Sequence, residues 1–548
     1  MGKKSFYFIL IIVVAFLFRY ILIGGPSLNG DEGDNMDSVI NIIQNDVSPW
    51  QRWAGLLPPM SIWTIYLFIH FLGYSEFALR IHGAILGTLV VVCVYLLAKL
   101  HFGEKTALIS SLFAAILPLL VLSNRDAHPD NVLVFFSLLS ILLFEFARKK
   151  NSKITCFLGG LSFGLAIISK YNSAMIFVIY LFFVLVYGLV YDKHKSRSFV
   201  NNAKHFFIAV FSSILVLFLS FGFDLRNFFY FASGVVFWVF NQNISANMPW
   251  YYSFSVLFDG LSPVVFLLLP FAGIIVLLNR NRNHLLNFVL CFGFLFAATL
   301  QARKFPRHFL LALPFAAIIL GDAFMIIRKQ IQKKFLLDLF LSFLIVSCAG
   351  FTVYKIVQYQ DYVVWRDVGK FVLSVSDNNT SIYVDGVEFW TLKFYTNSTV
   401  KLSSKLNQYL LKQGDIVLVH DINISTPFYI GSPLQNDLTL YSSKYVEQYE
   451  FNEDFYSFVR KYGVVLKTFK YDDFGNKIIA YKISKFLPKN TVVTSEQHKL
   501  DSITQKICNI WNSDSLIKRS ISSIMPADLQ LVVSQKCSKG CVYSCDFF

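Results

Sequence analysis

The stretch KKSFYFILIIVVAFLFRYILIGGPSLNGDEGD, residues 3–34, decides the fold class. Two lysines precede an apolar run, residues 6–23, that is long enough to cross about 30 Å of hydrocarbon. A cleaved signal peptide would have a shorter apolar core and a small-residue cleavage site, so we interpret the run as a retained membrane anchor. The lysines then face the cytoplasm, and the acidic residues 29–34 lie on the opposite side.

Composition extends this interpretation to most of the 548 residues. Hydrophobic residues make up 55% of the chain and charged residues 15%, and the mean hydropathy is +0.54. Soluble domains carry about 25% charged residues, so much of this surface must face lipid. The formal net charge of +15 lies mainly in short loops between apolar runs and not on one basic domain. The sequence therefore predicts a polytopic α-helical membrane protein whose partners are membrane lipids and not nucleic acid.

Eleven apolar runs are predicted to be transmembrane helices, and the loop charges support this count. With the N-terminus inside, the cytoplasmic loops hold eighteen Lys and Arg residues and the short outer loops hold seven, as the positive-inside rule requires. The C-terminal region then lies outside the cytoplasm. The runs are residues 6–23, 77–98, 106–122, 131–147, 154–169, 172–190, 206–222, 254–278, 285–300, 308–327 and 335–352.

One further apolar segment, residues 56–73, is not counted as a span, because adding it would place the eighteen basic residues outside. Its start at Pro58-Pro59 and the tryptophans around it suit a helix that lies in the membrane interface. We interpret residues 24–76 as an outer loop with interfacial helices, within a transmembrane domain of residues 1–354.

The composition of residues 355–548 is that of a soluble domain. Short alternating or apolar runs predict strands, and a polar segment with a glycine predicts a hairpin turn. These elements indicate a small extracytoplasmic α/β domain. The predicted strands are residues 381–385, 415–420 and 477–483, the helix is 365–375 and the turn is 472–476.

The C-terminal tail contains four cysteines. In an oxidising compartment we expect them to form two disulfides. A zinc site is the alternative, although the spacing lacks paired C-x2-C knuckles. The cysteines are Cys508, Cys537, Cys541 and Cys545.

Charged residues remain on the outer face, where membrane topology requires few. Asp31 and Glu32 follow the first span, and Asp130 begins the fourth, where a carboxylate is costly unless it faces a polar cavity. A solvated acidic loop and a snorkelling lysine are the simpler interpretations. Together, however, a carboxylate base and cations on one face are what transfer from a lipid phosphate requires. The cations are Lys170, Arg303 and Arg307.

At these residues the sequence resembles the C-type membrane glycosyltransferases, a superfamily that includes protein O-mannosyltransferases and the aminoarabinose transferases acting on lipid A. The family carries an acidic pair in the first outer loop, a Pro-Pro before an interfacial helix and an Arg before the second span. In this chain these are Asp31-Glu32, Pro58-Pro59 and Arg80.

The later motifs follow in the family's order over about residues 1–350. The second outer loop has Arg125, Ala127 and Pro129-Asp130, and residues 164–171 read GLAIISKY. A basic turn of the form Arg-x-x-x-Arg-Tyr is matched by residues 303–308, in which His308 replaces the usual tyrosine.

The resemblance implies an inverting transfer of a sugar from a polyprenyl-phosphate donor to a hydroxyl or phosphate of a lipid, glycan or protein acceptor. It implies Asp31 as the general base. Some relatives bind a divalent metal near the acidic loop, but the resemblance assigns no metal or other cofactor here. The implied residues are the carboxylates Asp31, Glu32 and Asp130, the phosphate-binding cations Lys170, Arg303 and Arg307, and the supporting residues Arg80, Arg125 and His308.

Two alternative interpretations remain: a polysaccharide polymerase or ligase of similar topology, and a transporter or channel. A transporter or channel would place its charges near the membrane midplane. The resemblance does not fix the donor sugar or the acceptor. The expected location is the plasma membrane of a bacterium, with the C-terminal domain outside.

The topology has a direct test in reporter fusions or cysteine accessibility at about residues 195 and 450. Residue 195 lies in a basic loop and residue 450 follows the eleventh span. We expect residue 195 to be cytoplasmic and residue 450 extracytoplasmic. Finding both probes on the same side of the membrane would contradict the eleven-span arrangement.

Overall fold

Helices dominate the computed structural model of this chain, in which Met1–Ser484 forms one compact unit. The structure describes residues 3–484 except for several short gaps and two longer ones. The tail from residue 485 lies outside the described residues. The gaps are residues 45–58, 171–172, 192–194, 221–249, 280, 302–304, 333, 361–363, 378–379, 385–387, 397–399, 404–410, 412, 422–458 and 471–476.

Each of the eleven predicted apolar runs overlaps a described helix, although residues 172, 221 and 222 of these runs lie outside the described residues. Five helical stretches are long and apolar enough to cross a membrane, or six if a bent pair is one span, among the residues described. The count of eleven therefore remains a prediction. The transmembrane part contains α1 (Lys3–Tyr20), α2 (Gly30–Gln44), α3 (Pro59–Leu72), α4 (Glu76–Phe102), α5 (Glu104–Ile116), α6 (Pro118–Ser123), α7 (Pro129–Lys150), α8 (Lys153–Ile167), α9 (Ser173–Tyr191), α10 (Lys195–Ser220), α11 (Tyr252–Leu261), α12 (Pro263–Leu278), α13 (Arg282–Leu300), a 3-10 turn (Pro306–Ala312), α14 (Leu313–Gln330) and α15 (Lys334–Gln360).

Two predicted runs are each divided into two helices by proline. Proline lacks an N–H and is tolerated in the first turn of a helix, where no intrahelical partner is needed. Residues 106–122 therefore break between α5 and α6 at Pro118. Residues 254–278 bend by 107° between α11 and α12, where Ser262 has a φ of +70° and Pro263 begins the second helix.

Small residues allow the close approach of two helices. A Cβ on Gly160 of α8 would lie 1.9 Å from the Ser212 hydroxyl of α10, and one on Gly164 would lie 2.7 Å from Val216 Cβ. Glycines four residues apart occupy one face of a helix, and such faces pack closely in membranes. The main apolar core includes side chains of α4, α5 and α14, such as Leu97, Phe113 and Ile319, and it reaches α8 at Cys156 and α10 at Ala209.

A five-stranded mixed sheet follows the last long helix. Strand order is β2-β1-β3-β5-β4, with β1 parallel to β2 and β3, and β5 antiparallel to β3 and β4. The three predicted strands and the predicted helix are all present. The elements are α16 (Val364–Val375), β1 (Ser381–Tyr383), α17 (Glu388–Tyr395), β2 (Lys401–Ser403), β3 (Ile416–Asp421), β4 (Gly463–Lys470) and β5 (Lys477–Ile483).

The apolar face of this sheet is covered by α16, whose Trp365 and Val368 pack with Ile382 of β1 and Leu418 of β3. The predicted turn at residues 472–476 and the four tail cysteines lie outside the described residues. The predicted domain boundary at residue 354 lies inside α15, so the division of the chain there stays a prediction.

Candidate active site

A fully buried ion pair fixes the chain where it leaves the first membrane helix. The Arg80 guanidinium of α4 reaches both oxygens of Glu32, at 2.7 and 2.6 Å, and neither side chain has any exposed surface. Arg80 also donates to the carbonyls of Ile23, Pro26 and Ser27 at 2.9–3.1 Å. An unpaired buried charge is very costly. The loop is therefore held in the one position in which its carboxylate and carbonyls can bond to the Arg80 guanidinium.

Glu32 also caps its own helix. Its carboxylate accepts a hydrogen bond from the Asn29 N–H at 3.1 Å, while the Asn29 side chain accepts one from the Glu32 N–H at 2.9 Å. This reciprocal arrangement is a capping box, which satisfies donors at a helix start. A third bond, from the Ala127 N–H at 2.9 Å, joins the second outer loop. Both Glu32 oxygens are therefore occupied, which favours a holding role over proton transfer.

Asp31 differs from its neighbour, because 34% of its side chain is exposed. The Arg307 guanidinium lies 2.6 Å from its Oδ2, and the His128 Nδ1 lies 3.8 Å from the same oxygen. Burial alone would raise the pKa of Asp31, but the nearby Arg307, His128 and Lys170 outweigh it and lower that pKa. Asp31 is therefore ionised at neutral pH and partly open.

His128 contributes little positive charge itself. Burial and the neighbouring Arg307 lower the pKa of His128, so the ring is largely neutral at pH 7. Most of the positive charge beside Asp31 therefore comes from Arg307 and Lys170. His128 lies in the polar loop that also contains Asp130, but the residue pattern alone gave it no role.

Asp130 and Lys170 form a second pair in the same region. The Lys170 Nζ lies 2.9 Å from each oxygen of Asp130, and their side chains are 15% and 3% exposed. Pro129 begins α7, so Asp130 stands in its first turn, where the helix dipole stabilises a carboxylate. The structure thus brings together Asp31, Asp130, Lys170 and Arg307, as the topology predicted.

The basic turn is described in part. Arg307 stands in the 3-10 turn, with its guanidinium 4.6 Å from the centre of the Phe305 ring. The His308 ring packs edge-on against Phe305 at 5.4 Å. Arg303 lies outside the described residues, so its predicted part in the site stays a prediction.

Arg125 donates hydrogen bonds to carbonyls at the end of α1. It is 1% exposed, and its Nη1 donates to the carbonyls of Phe18, Arg19 and Ile21 at 2.7–3.3 Å. The last carbonyls of a helix lack intrahelical partners, and an arginine can satisfy them. Arg80 and Arg125 therefore support the site by fixing the backbone around it.

The pattern of the sequence did not reveal Arg19, which lies within the first apolar run. Its buried guanidinium bonds to the Asn124 side chain at 3.0 Å and to the carbonyls of Ala114 and Ala115 at 3.1 Å each. These bonds fasten α1 to α5 just below the outer loops. An arginine inside an apolar run was the available signal, since such residues normally have a specific partner in the membrane.

The described residues do not fit a metal site in this region. They contain no group of three His, Cys, Asp or Glu side chains placed to hold a metal ion. The partners of Asp31 in the structure are instead an arginine and a histidine. We assign no step to a metal.

Part of the chain matches a known protein family. Residues 57–221 match the family of dolichyl-phosphate-mannose-protein mannosyltransferases. Two uncharacterized proteins of Aquifex aeolicus (strain VF5) are similar in sequence. One is 37% identical over 97 residues, 17% of this chain and 19% of the relative, so only a fifth of that relative is spanned. The other is 25% identical over 313 residues, 53% of this chain and 70% of the relative.

The fold is also that of a known structure. The crystal structure of ArnT from Cupriavidus metallidurans bound to undecaprenyl phosphate superimposes with a TM-score of 0.58 and 12% sequence identity, covering 87% of this chain and 98% of that one. The chain thus shares the fold of that membrane glycosyltransferase structure, and its long apolar helices are those of an integral membrane protein.

The Glu32–Arg80 pair gives a stability prediction. Glu32→Gln should lower the free energy of unfolding by about 3–5 kcal/mol, because it leaves Arg80 charged and buried without a counter-ion. Thermal unfolding of the purified protein in detergent measures the loss. Asp338→Asn is the control, since Asp338 pairs with Arg328 on the surface and exposed pairs contribute little. Equal effects of the two substitutions would show that the buried pair does not organise the fold.

Proposed function

We propose that the protein transfers a sugar, with inversion, from a polyprenyl-phosphate donor to a hydroxyl or phosphate of a lipid, glycan or protein acceptor. The observation that carries the proposal is the contact at 2.6 Å between the partly exposed Asp31 carboxylate and the Arg307 guanidinium. This contact supports the proposal because it brings a carboxylate that could act as base beside a cation that could bind phosphate. We further propose that the reaction takes place on the extracytoplasmic face of a bacterial plasma membrane, in a chain of eleven spans.

Asp31 has the properties of a general base. It must be ionised at the working pH, and the neighbouring positive charge lowers its pKa and keeps it so. It must also be reachable, and a third of its side chain is exposed. In the reaction it accepts the proton of the acceptor hydroxyl while the acceptor oxygen bonds to the anomeric carbon of the sugar from the face opposite the phosphate.

Arg307 and Lys170 suit the leaving group. As the bond between the anomeric carbon and the phosphate oxygen breaks, that oxygen takes the electron pair, and cations fixed beforehand stabilise the growing charge. Arg307 offers several N–H donors, of which Nη1 faces Asp31. Lys170 directs its ammonium to both oxygens of Asp130, which holds it in position. Arg303 is proposed to join them.

The proposed supporting residues act through these groups. Glu32 and Arg80 hold the loop of Asp31, and Asp130 holds Lys170. Arg125 holds the end of α1 behind the loop. The ring of His308 packs on Phe305, against which Arg307 also lies, so it helps to set the position of that guanidinium.

Removal of the Asp31 charge tests the base. Asp31→Asn should lower the transfer rate by about 10²–10⁴, the usual contribution of a general base, with little change in thermal stability. Radiolabel transfer from a polyprenyl-phosphate sugar measures the rate. Asp367→Asn, an exposed aspartate of α16, is the matched control and should be active. Near-normal turnover of Asp31→Asn would remove Asp31 from the role of base.

Removal of the Arg307 charge tests the phosphate site. Arg307→Ala should weaken binding of a polyprenyl phosphate without sugar by about 10- to 100-fold, since a hydrogen bond to a charged group contributes about 1.5–3 kcal/mol. Lys170→Ala and Arg303→Ala should act in the same direction. Arg328→Ala is the control, because Arg328 pairs with Asp338 at the end of α14 that is opposite to Arg307.

The same Arg307 variant should also move the pH profile of transfer. Arg307 lowers the pKa of Asp31, so its loss raises that pKa and shifts the acidic limb of kcat/KM to higher pH. Unchanged affinity for the carrier in the Arg307, Lys170 and Arg303 variants would contradict the phosphate site.

A further inference from the structure

A helix from the sheet region lies across the start of α2, the helix that bears Asp31. The Tyr395 hydroxyl of α17 accepts a hydrogen bond from the Leu28 N–H at 2.8 Å. One turn earlier, the Thr391 hydroxyl donates to the Asn29 carbonyl at 3.0 Å. Both bonds fall within three residues of Asp31, on the backbone that sets its position.

Gly33 brings the two helices into backbone contact. A Cβ at Gly33 would lie 2.5 Å from Thr391 Oγ1, 2.6 Å from the Thr391 backbone nitrogen and 2.9 Å from its Cα. Real Cβ atoms do not approach backbone so closely, and backbone cannot turn aside as a flexible side chain can. Glycine is unfavourable inside a helix, so its presence here is explained by this contact.

Arg366 and Lys393 extend the attachment on both sides. The Arg366 N–H donates to the Ser27 hydroxyl at 3.2 Å, and its guanidinium lies 2.7 Å from Glu76 of α4. Lys393 lies 2.6 Å from Asp37, further along α2. The segment from Ser27 to Asp37 is therefore held from the side of α16 and α17.

The second outer loop is attached in the same manner. The Tyr359 hydroxyl, near the end of α15, bonds to the carboxylate of Asp126. Asp126 directly precedes Ala127, whose N–H bonds to Glu32, and both belong to the loop that contains His128. The end of α15 and the chain that follows it thus contact both loops of the candidate site.

We propose that Thr391 and Tyr395 of α17 are positioning residues that hold Asp31 against Arg307, so that the sheet region completes the active site. Arg80 holds the loop that bears Asp31 through its ion pair with Glu32. The helix α17 holds the same loop from another side, through contacts with the backbone of the loop. A displacement of about 1 Å at a reacting group is enough to slow catalysis by about 10²-fold. The inference rests on the proposed function of Asp31.

The decisive variant is Gly33→Ala, which must push α17 away from α2. We expect kcat to fall on the order of 10- to 100-fold, while the affinity for polyprenyl phosphate stays within about twofold, because Lys170 is untouched. The acidic limb of the pH profile should move to higher pH, since Asp31 leaves the positive charges of Arg307 and Lys170 that lower its pKa. Gly350→Ala is the matched control, because a Cβ there meets nothing within 4 Å.

Further variants separate positioning from folding. Thr391→Ala should not rescue Gly33→Ala, because the Thr391 backbone nitrogen remains in the way. Thr391→Val removes the hydrogen bond to the Asn29 carbonyl, and Tyr395→Phe removes the one from the Leu28 N–H together with the one donated to Glu76. Both change the side-chain shape little, and each should lower kcat. Thr391→Ser keeps the hydroxyl and should keep the activity. If Gly33→Ala fails to fold, these milder variants still test whether Thr391 and Tyr395 position Asp31.

Hydrogen exchange of peptides that cover Leu28 and the start of α2, measured by mass spectrometry, completes the test. In Tyr395→Phe the Leu28 amide loses its acceptor and should exchange faster. Faster exchange with wild-type kcat and an unchanged pH profile in all these variants would overturn the positioning role while leaving the proposed function intact. If the wild-type protein transfers no sugar from a polyprenyl-phosphate donor, the proposed function fails instead, and the positioning role fails with it.

Discussion

The ion pair between Glu32 and Arg80 has no exposed surface, and the site around it depends on that pair. Burial of two charges is repaid only when every donor and acceptor has a partner. Here the remaining donors of Arg80 reach backbone carbonyls of residues 23–27, and the carboxylate also accepts from Asn29 and Ala127. Three separate parts of the chain, α2, α4 and the loop before α7, are thereby fixed to one another.

The carboxylates of the helical part divide into two kinds by their surroundings. Glu145, near the other end of α7, is fully buried and bonds to Arg148, Arg282 and Tyr180, so like Glu32 it is fully occupied. Asp31 instead keeps a third of its side chain open beside Arg307. A carboxylate that is both ionised and reachable, next to arginine and lysine side chains, suits group transfer at the membrane surface. It suits a transport path less well, because such paths carry their charges near the midplane.

Much of the fold can be predicted from the sequence, because a membrane requires long apolar runs and an alternation of loop charges, and both are visible in the sequence. The same topology placed Asp31, Asp130, Lys170 and Arg307 on one face. It did not predict that Arg307 pairs with Asp31 and Lys170 with Asp130, because such pairings depend on how distant helices pack. The bend at Ser262 and the contact of Gly33 with α17 were missed for related reasons. The bend depends on the backbone conformation of a single residue. The contact of Gly33 depends on packing between segments more than 350 residues apart.

The central claim is that the carrier phosphate binds beside Arg307, within reach of the base Asp31. A cryo-EM structure of the full chain with a polyprenyl phosphate tests this most directly. The account predicts phosphate density within hydrogen-bonding distance of the Arg307 guanidinium, with the Asp31 carboxylate facing the same space. Phosphate bound at the opposite end of the bundle, beside Arg148 and Arg282, or bound without contact to Arg307, would contradict it.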